Sequence, residues 1–111
     1  HVDCIPTLIF DEIDIGISGR AARSVGEKLR GIASEHQVIC VTHSPQIAAL
    51  AYTNILIGKY TDENKTKITC KILDKNGKIE EIARLLDGHP ESDITRRHAT
   101  EMVEKADAAV F

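Results

Sequence analysis

The sequence predicts a single α/β domain in which short parallel strands are connected by helices. Two apolar runs, residues 7–11 and 37–42, flank a stretch whose apolar side chains recur with helical spacing. A strand, helix and strand of this length form a right-handed parallel crossover unit. A later stretch alternates polar and apolar side chains, which favours an added antiparallel hairpin. The chain of 111 residues is long enough for one domain with a modest core.

The first half of the chain alternates strands and helices. Residues 7–11 are apolar without alternation, which predicts a strand buried on both faces. A helix is predicted over residues 20–33, with Ser18 or Gly19 as its cap. Residues 37–42 are rich in β-branched side chains and predict a second buried strand. Pro45, at a first helical position, predicts a short helix that continues through residues 46–51.

The second half predicts a hairpin followed by two helices. Strands are expected at residues 54–59 and 66–73, with polar residues between them. In the second strand, Ile68, Cys70 and Ile72 alternate with lysine and threonine, which is typical of a half-exposed hairpin. Asn76-Gly77 predicts a turn. Helices are expected over residues 78–86 and 92–109, separated by residues 87–90.

The composition excludes several classes of protein. Apolar residues make up 42% and charged residues 28% of the chain, which is ordinary for a folded domain. The net charge of −3 gives no general attraction to nucleic acid or to anionic membrane. No apolar run approaches the roughly 20 residues of a spanning helix, so no membrane partner is expected. Three widely spaced cysteines favour reduced thiols in a cytoplasmic protein.

Two adjacent carboxylates, Asp11 and Glu12, end the first predicted strand. In open parallel sheets, ligands bind at the edge where the strands end. One carboxylate at that edge can hold Mg²⁺ through its water shell, and the other can activate a water molecule. The pair predicts a site for nucleoside triphosphate hydrolysis. Solvated acids also end many strands, so the pair alone leaves a purely structural interpretation open.

A histidine follows the second predicted strand. His43 lies just beyond it, one crossover unit after the two acids. Because parallel strands end at one edge, the histidine and the acids are expected to meet there. A histidine in that place could contact a terminal phosphate and the attacking water. The combination is more specific than either feature alone.

Residues 7–22 and 38–48, which contain these acids and this histidine, resemble the C-terminal lobe of the ATPase head in the bacterial RecN family. These DNA double-strand-break repair proteins are related to the structural-maintenance-of-chromosomes and ABC-type ATPases. The resemblance extends over nearly the whole chain, including residues 80–86 and the final helix around His98-Ala99. The acids and the histidine are common to ABC-type ATPases, whereas Gly16-Ile17-Ser18-Gly19-Arg20 points to RecN in particular.

The resemblance implies a role for each residue of the site. Asp11 would be the Walker B aspartate in the Mg²⁺ shell, and Glu12 would be the general base that polarises the attacking water. His43 would be the switch histidine near the γ-phosphate. ATP and Mg²⁺ are therefore the cofactors expected in the intact protein. The resemblance also implies that the chain is part of a P-loop NTPase fold.

The resemblance also implies partners. Gly16, Ile17, Ser18 and Gly19 would form the D-loop that crosses a head-to-head dimer interface, with Ser18 at the usual aspartate position. The N-terminal lobe of the same head, a second protomer and DNA are the expected partners, in the bacterial cytoplasm at the nucleoid.

The chain lacks motifs that the family needs. It contains no glycine-rich phosphate loop, no Leu-Ser-Gly-Gly signature and no long coiled-coil segment. The sequence therefore looks like the C-terminal lobe cut from a longer protein. We expect residues 1–111 alone neither to bind ATP tightly nor to hydrolyse it. We also expect the chain to self-associate through an uncovered sheet edge and helix face.

Other interpretations compete with this one. Cys40 and His43 could bind zinc, but an odd separation along a strand points them to opposite faces, and no second ligand pair is present. Ser18 and Ser44 lack the nucleophile-elbow context of a hydrolase. A helicase-like NTPase also has an acid pair after a strand, and a structural or interaction module with a relict pair is a further alternative.

Basic residues give weaker signals. Those around the predicted hairpin and those in the final helix could contact DNA phosphates, but a solvated surface explains both sets better. The two sets are Lys59, Lys65, Lys67 and Lys71 in the hairpin and Arg96, Arg97 and His98 in the helix.

Overall fold

The computed structural model describes residues 6–11, 16–17, 19–87 and 92–109. Its elements follow the predicted α/β order, with a parallel strand pair, an antiparallel hairpin and C-terminal helices. In chain order they are β1 (Thr7–Asp11), α1 (Gly19–Ile32), β2 (Gln37–Val41), α2 (Pro45–Leu50), β3 (Ile55–Asp62), β4 (Lys65–Ile72), α3 (Lys75–Asp87) and α4 (Asp93–Ala108).

Strands β1 and β2 pair in parallel, as the crossover pattern predicts. The register runs from Thr7 opposite Gln37 to Asp11 opposite Val41. Alternate side chains of each strand face the helices, and there Phe10, Val38 and Cys40 pack against buried residues of α1 and α2. The strand pair and the two helices that follow its strands therefore pack together as a layer of strands against a layer of helices.

The prediction that β1 and β2 are buried on both faces is wrong. Every second residue is exposed, with Ile9 70%, Ile39 46% and Val41 51% accessible. The reason is that α1 and α2 both pack on the same face of the strand pair. Among the described residues, the apolar side chains of the opposite face remain exposed.

Helix α2 lies at the centre of the helical packing. It contacts α1 on one side and the pair α3 and α4 on the other. Four of its six residues are buried, and a core cluster joins α2 to α3 and α4. The members of that cluster are Ala48, Ala49, Ile79, Ile82, Ala83, Ala99 and Val103. A six-residue helix is too short to be stable in isolation, so its position depends on these contacts.

Strands β3 and β4 form the predicted antiparallel hairpin, but the hairpin is longer and more exposed than expected. Glu63 and Asn64 make a two-residue turn with φ of 50° and 63°, as in a type I′ turn. The prediction of a half-exposed second strand is wrong, because β4 is exposed along its whole length. In the described part of the chain, β3 and β4 contact mainly each other.

Asn76 and Gly77 lie inside α3, so the predicted turn is wrong. The helix begins at Lys75, three residues earlier than predicted. Asp74 explains the early start, because its side chain accepts a hydrogen bond from the Gly77 amide at 2.7 Å. The Asp74 carbonyl accepts from the Lys78 amide at 2.8 Å. An aspartate cap of this kind outweighs the turn tendency of Asn-Gly.

The last helix agrees with the sequence. Ser92 is the N-cap of α4 and Ala109 its C-cap. The predicted separation over residues 87–90 reaches into a segment outside the described residues. Across the described ranges, no helix combines the length and the apolar character needed to cross a bilayer.

Candidate functional site

The site lies where β1 and β2 end. Asp11 is the last residue of β1, and its side chain is exposed. It stands opposite Val41, the last residue of β2, with the two strands running in the same direction. Adjacent strands lie about 4.8 Å apart. Residues that follow Val41 are therefore neighbours of Asp11 at one sheet edge.

His43 lies in the short connection between β2 and α2, and hydrogen bonds on either side hold this connection in place. Its side chain is exposed, while the adjacent Ser44 is only 8% accessible. Ser44 is the N-cap of α2, and its hydroxyl accepts a hydrogen bond from the Ile47 amide at 3.3 Å. The Ser44 amide in turn donates to Thr42 Oγ1 at 2.9 Å. The strand on one side and the capped helix on the other fix the backbone at His43.

The structure thus brings two of the predicted site residues together. Asp11 ends β1 and His43 lies two residues beyond the end of β2, so the parallel register places both at the same edge of the strand pair. Glu12 and Ser18 lie outside the described residues. The predicted general base and the serine of the loop stay predictions.

The described part of the loop after β1 contains two glycines in the left-handed region. Gly16 has φ of 80° and Gly19 has φ of 58°. Residues other than glycine rarely adopt this backbone conformation. Between them, Ile17 is half-buried and packs against the cluster of α1 and α2. Of the described residues here, Ile17 is therefore the one that contacts the core, and the two glycines have backbones that favour glycine.

The chemistry available at this edge is that of a carboxylate and an imidazole open to solvent. A single carboxylate suits Mg²⁺, which keeps several waters and takes further ligands from substrate phosphates. Cys40 packs toward the helices, whereas the His43 side chain is exposed. Among the described residues, no group of three His, Cys, Asp or Glu side chains could hold a metal ion. The structure gives no support to the zinc alternative.

The basic residues considered for DNA contacts lie among acids. Lys67 Nζ is 3.2 Å from Asp62 Oδ2 in the hairpin. Arg96 Nη1 is 3.5 Å from Glu80 Oε1. Both pairs are exposed and fit the expected mixed-charge surface.

Sequence reasoning missed a group of side chains at the C-terminal end of α2. Arg30, Asn54 and Lys78 each donate to one of its last carbonyls. A signal for one of them existed. Lys78 precedes the buried Ile82 by four residues, so it falls on the same face of α3 as the apolar stripe.

Comparison with known proteins identifies the family. The chain is 41% identical over 103 residues to the DNA repair protein RecN of Bacillus subtilis. It is 40% identical over 106 residues to RecN of Streptomyces coelicolor and 41% over 100 residues to RecN of Haemophilus influenzae. These alignments include 93%, 96% and 90% of the chain, respectively. The chain belongs to the RecN family.

The chain spans only part of RecN. It covers 18% of the length of each of these three relatives and matches their C-terminal segment. No family model matches the chain. The RecN resemblance inferred from the motifs is confirmed by these alignments.

Proposed function

We propose that this chain is the C-terminal lobe of an ATPase head that acts in DNA double-strand-break repair. The RecN relatives are named as DNA repair proteins, which supports the repair role. The observation that carries the ATPase assignment is the register that sets Asp11 opposite Val41, two residues before His43. A carboxylate and a histidine at one sheet edge are the residues that the ABC-type resemblance places beside the nucleotide, and ligands of open parallel sheets bind at this edge.

Each residue has a part in hydrolysis. Asp11 would hold a hydrated Mg²⁺, and Glu12 would accept the proton of the attacking water. His43 donates a hydrogen bond toward the terminal phosphoryl oxygens, where charge develops. ATP and Mg²⁺ supply the phosphoryl group and the metal charge when bound.

The loop formed by Gly16, Ile17, Ser18 and Gly19 faces a second protomer in this proposal. Of its described residues, Gly16 and Gly19 have left-handed backbones, and Ile17 packs against the core. Two heads dimerise around ATP in the bacterial cytoplasm, and the dimer acts on DNA at the nucleoid.

The N-terminal lobe of the same head covers the open face of β1 and β2. Ile9, Ile39 and Val41 on that face are 46–70% exposed, an unusual state for three neighbouring β-branched side chains in a monomer. The hairpin adds further exposed isoleucines. Without that lobe the chain self-associates, and it lacks the phosphate cradle required to bind ATP tightly.

Substitution of Glu12 tests the catalytic assignment. In a full-length RecN carrying this segment, Glu12→Gln removes the base and keeps the shape. ATP turnover should fall by roughly 100-fold or more. Glu35→Gln, an exposed acid beyond the end of α1, serves as the matched control and should keep full turnover. Unchanged turnover in Glu12→Gln would leave the chain as an interaction module.

Two measurements on residues 1–111 test the expectations for the isolated chain. Calorimetry should detect no tight ATP binding, and micromolar affinity would contradict the need for an upstream cradle. Light scattering should show a mass above that of the 12.2 kDa monomer. A monomeric mass at high concentration would contradict self-association.

A further inference from the structure

The C-terminal end of α2 is held by side chains from three separate parts of the chain. Arg30 Nη1 in α1 donates to the Leu50 carbonyl at 3.1 Å. Lys78 Nζ in α3 donates to the Ala51 carbonyl at 2.7 Å. Asn54 Nδ2 donates to the Ala48 carbonyl at 2.9 Å. The last carbonyls of a helix lack intrahelical partners and favour cations, so this arrangement satisfies them from outside the helix.

The two cations are placed at some energetic cost. Lys78 is only 9% accessible, although lysine is almost never buried unless it is paired. Burial lowers its pKa, nearby Asp107 raises it, and the positive charge of Arg30 lowers it further. Arg30 lies over the Tyr52 ring, 4.4 Å from the centroid, which orients its guanidinium. Two like charges at one helix end are tolerated because each one holds a carbonyl.

The other end of α2 carries the candidate site. Ser44 caps the helix, and His43 immediately precedes the cap. Helix α2 has only six residues and four of them are buried, so its placement depends on its contacts with other elements. At Gly26 it approaches α1 closely, since a Cβ built there would lie 3.3 Å from Ile47 Cα. The side chains at its C-terminal end are further contacts of this kind, and His43 lies directly before its N-terminal cap.

We propose that Lys78 and Arg30 are positioning residues for His43, acting through α2. The proposal rests on the proposed ATPase function. Neither side chain reaches the sheet edge; their role is to set the angle of α2 and thus the place of the histidine relative to Asp11. Lys78 extends this control to α3, so the C-terminal helices influence hydrolysis without contributing a group to it.

The test uses steady-state kinetics of full-length RecN carrying this segment. Lys78→Met keeps the aliphatic stem and removes the donor, while Lys78→Arg restores a donor. Lys75→Met, on the same helix, removes an exposed lysine whose nearest acid, Glu104, is 3.9 Å away. We expect kcat to fall about 10- to 100-fold in Lys78→Met with KM for ATP unchanged, because misplacement of a catalytic group slows the chemical step. Lys78→Arg should recover most of the rate, and Lys75→Met should lose none.

Arg30→Met tests the proposal independently, because Arg30 reaches the C-terminal end of α2 from α1 and not from α3. It should lower kcat in the same way and leave KM unchanged. Urea unfolding, followed in parallel, separates folding from positioning, and rates are compared only where every variant is folded. If either methionine variant destabilises the protein and keeps its kcat, its side chain is merely structural and the proposal is wrong for that residue. A variant that does not fold is replaced by Lys78→Leu or Arg30→Leu, which also lack a donor and are judged by the same criterion.

His43→Ala separates this inference from the proposed function. If His43→Ala hydrolyses ATP at the normal rate, the histidine has no catalytic role and the positioning proposal fails, while the ATPase assignment stands and is judged by Glu12→Gln. If His43→Ala is impaired and Lys78→Met and Arg30→Met are not, the ATPase assignment stands and the positioning role fails.

Discussion

The two strand pairs of this chain differ in what surrounds them. The parallel pair β1 and β2 has α1 and α2 packed on one face, and the clusters beneath it contain buried side chains from both helices. The hairpin β3 and β4 has longer strands, yet β4 is exposed throughout and the pair contacts mainly itself. Both pairs contain isoleucines. The connection between the two strands of each pair differs: in the parallel pair a crossover helix returns over the sheet, whereas the tight turn of the hairpin leads only to the partner strand.

Hydrogen exchange should show the largest difference between the two regions. An isolated two-stranded hairpin is at best marginally stable, so its amides should exchange through openings that cost on the order of 1 kcal/mol. Amides between β1 and β2 should require openings close to global unfolding, about 5–15 kcal/mol in ordinary domains. Exchange measured by mass spectrometry at low protein concentration tests this. Equal protection in the two strand pairs would break the comparison.

Truncating one apolar side chain in each region should sharpen the comparison. Phe10 is half-buried against α1 and α2, so Phe10→Ala should lower the free energy of unfolding by roughly 2 kcal/mol, less than for a fully buried phenylalanine. Ile57 in the hairpin is 59% exposed, and Ile57→Ala should cost about 0.5 kcal/mol or less. Urea unfolding of both variants provides the measurement. A larger loss in Ile57→Ala would mean that the hairpin face is covered.

Two glycines of α1 provide a matched pair within the packed region. A Cβ at Gly26 would lie 2.7 Å from Leu50 Cδ1, whereas Gly31 has nothing within 4 Å. Gly31→Ala should stabilise the protein by up to about 1 kcal/mol through helix propensity. In Gly26→Ala, overpacking of about 1–3 kcal/mol opposes that gain, so the net effect should be a loss. Thermal unfolding that ranks Gly26→Ala above Gly31→Ala would contradict the close approach of α1 and α2.

The pH dependence of Lys78 should give the smallest effect. Its pKa in the folded protein is below the ordinary value of 10.5, so the unfolded chain binds more protons between the two values. The free energy of unfolding therefore rises with pH across that window, and the contribution of Lys78 is least favourable below its folded pKa. The difference in unfolding free energy between wild type and Lys78→Met should shift in favour of wild type as the pH approaches 10.5. A difference that is flat with pH would contradict the lowered pKa.

Local patterns in the sequence predicted most of the elements. The spacing of apolar residues located α1 and α4 to within one residue, and Pro45 marked the start of α2. The edge shared by Asp11 and His43 followed from the parallel crossover alone. These features depend on neighbours in the chain, so a pattern can reveal them.

Burial and capping were harder to predict because they depend on distant partners. Apolar runs such as residues 7–11 cannot indicate whether a second layer will cover them, and here one face is open. Asn76-Gly77 reads as a turn unless the Asp74 cap is recognised. The hydrogen bonds of Arg30 and Lys78 to α2 join residues 20 and 27 positions apart, and no local pattern reports them.

The exposed thiol of Cys70 gives the hairpin a built-in reporter. It lies opposite Ile57 on the apolar face, in a strand that is accessible to solvent, whereas Cys40 is half-buried. With Cys4 replaced by serine, an environment-sensitive dye attached at Cys70 would change its emission when another surface closes over that face. The emission of this dye would then report contact between the hairpin and any surface that covers it.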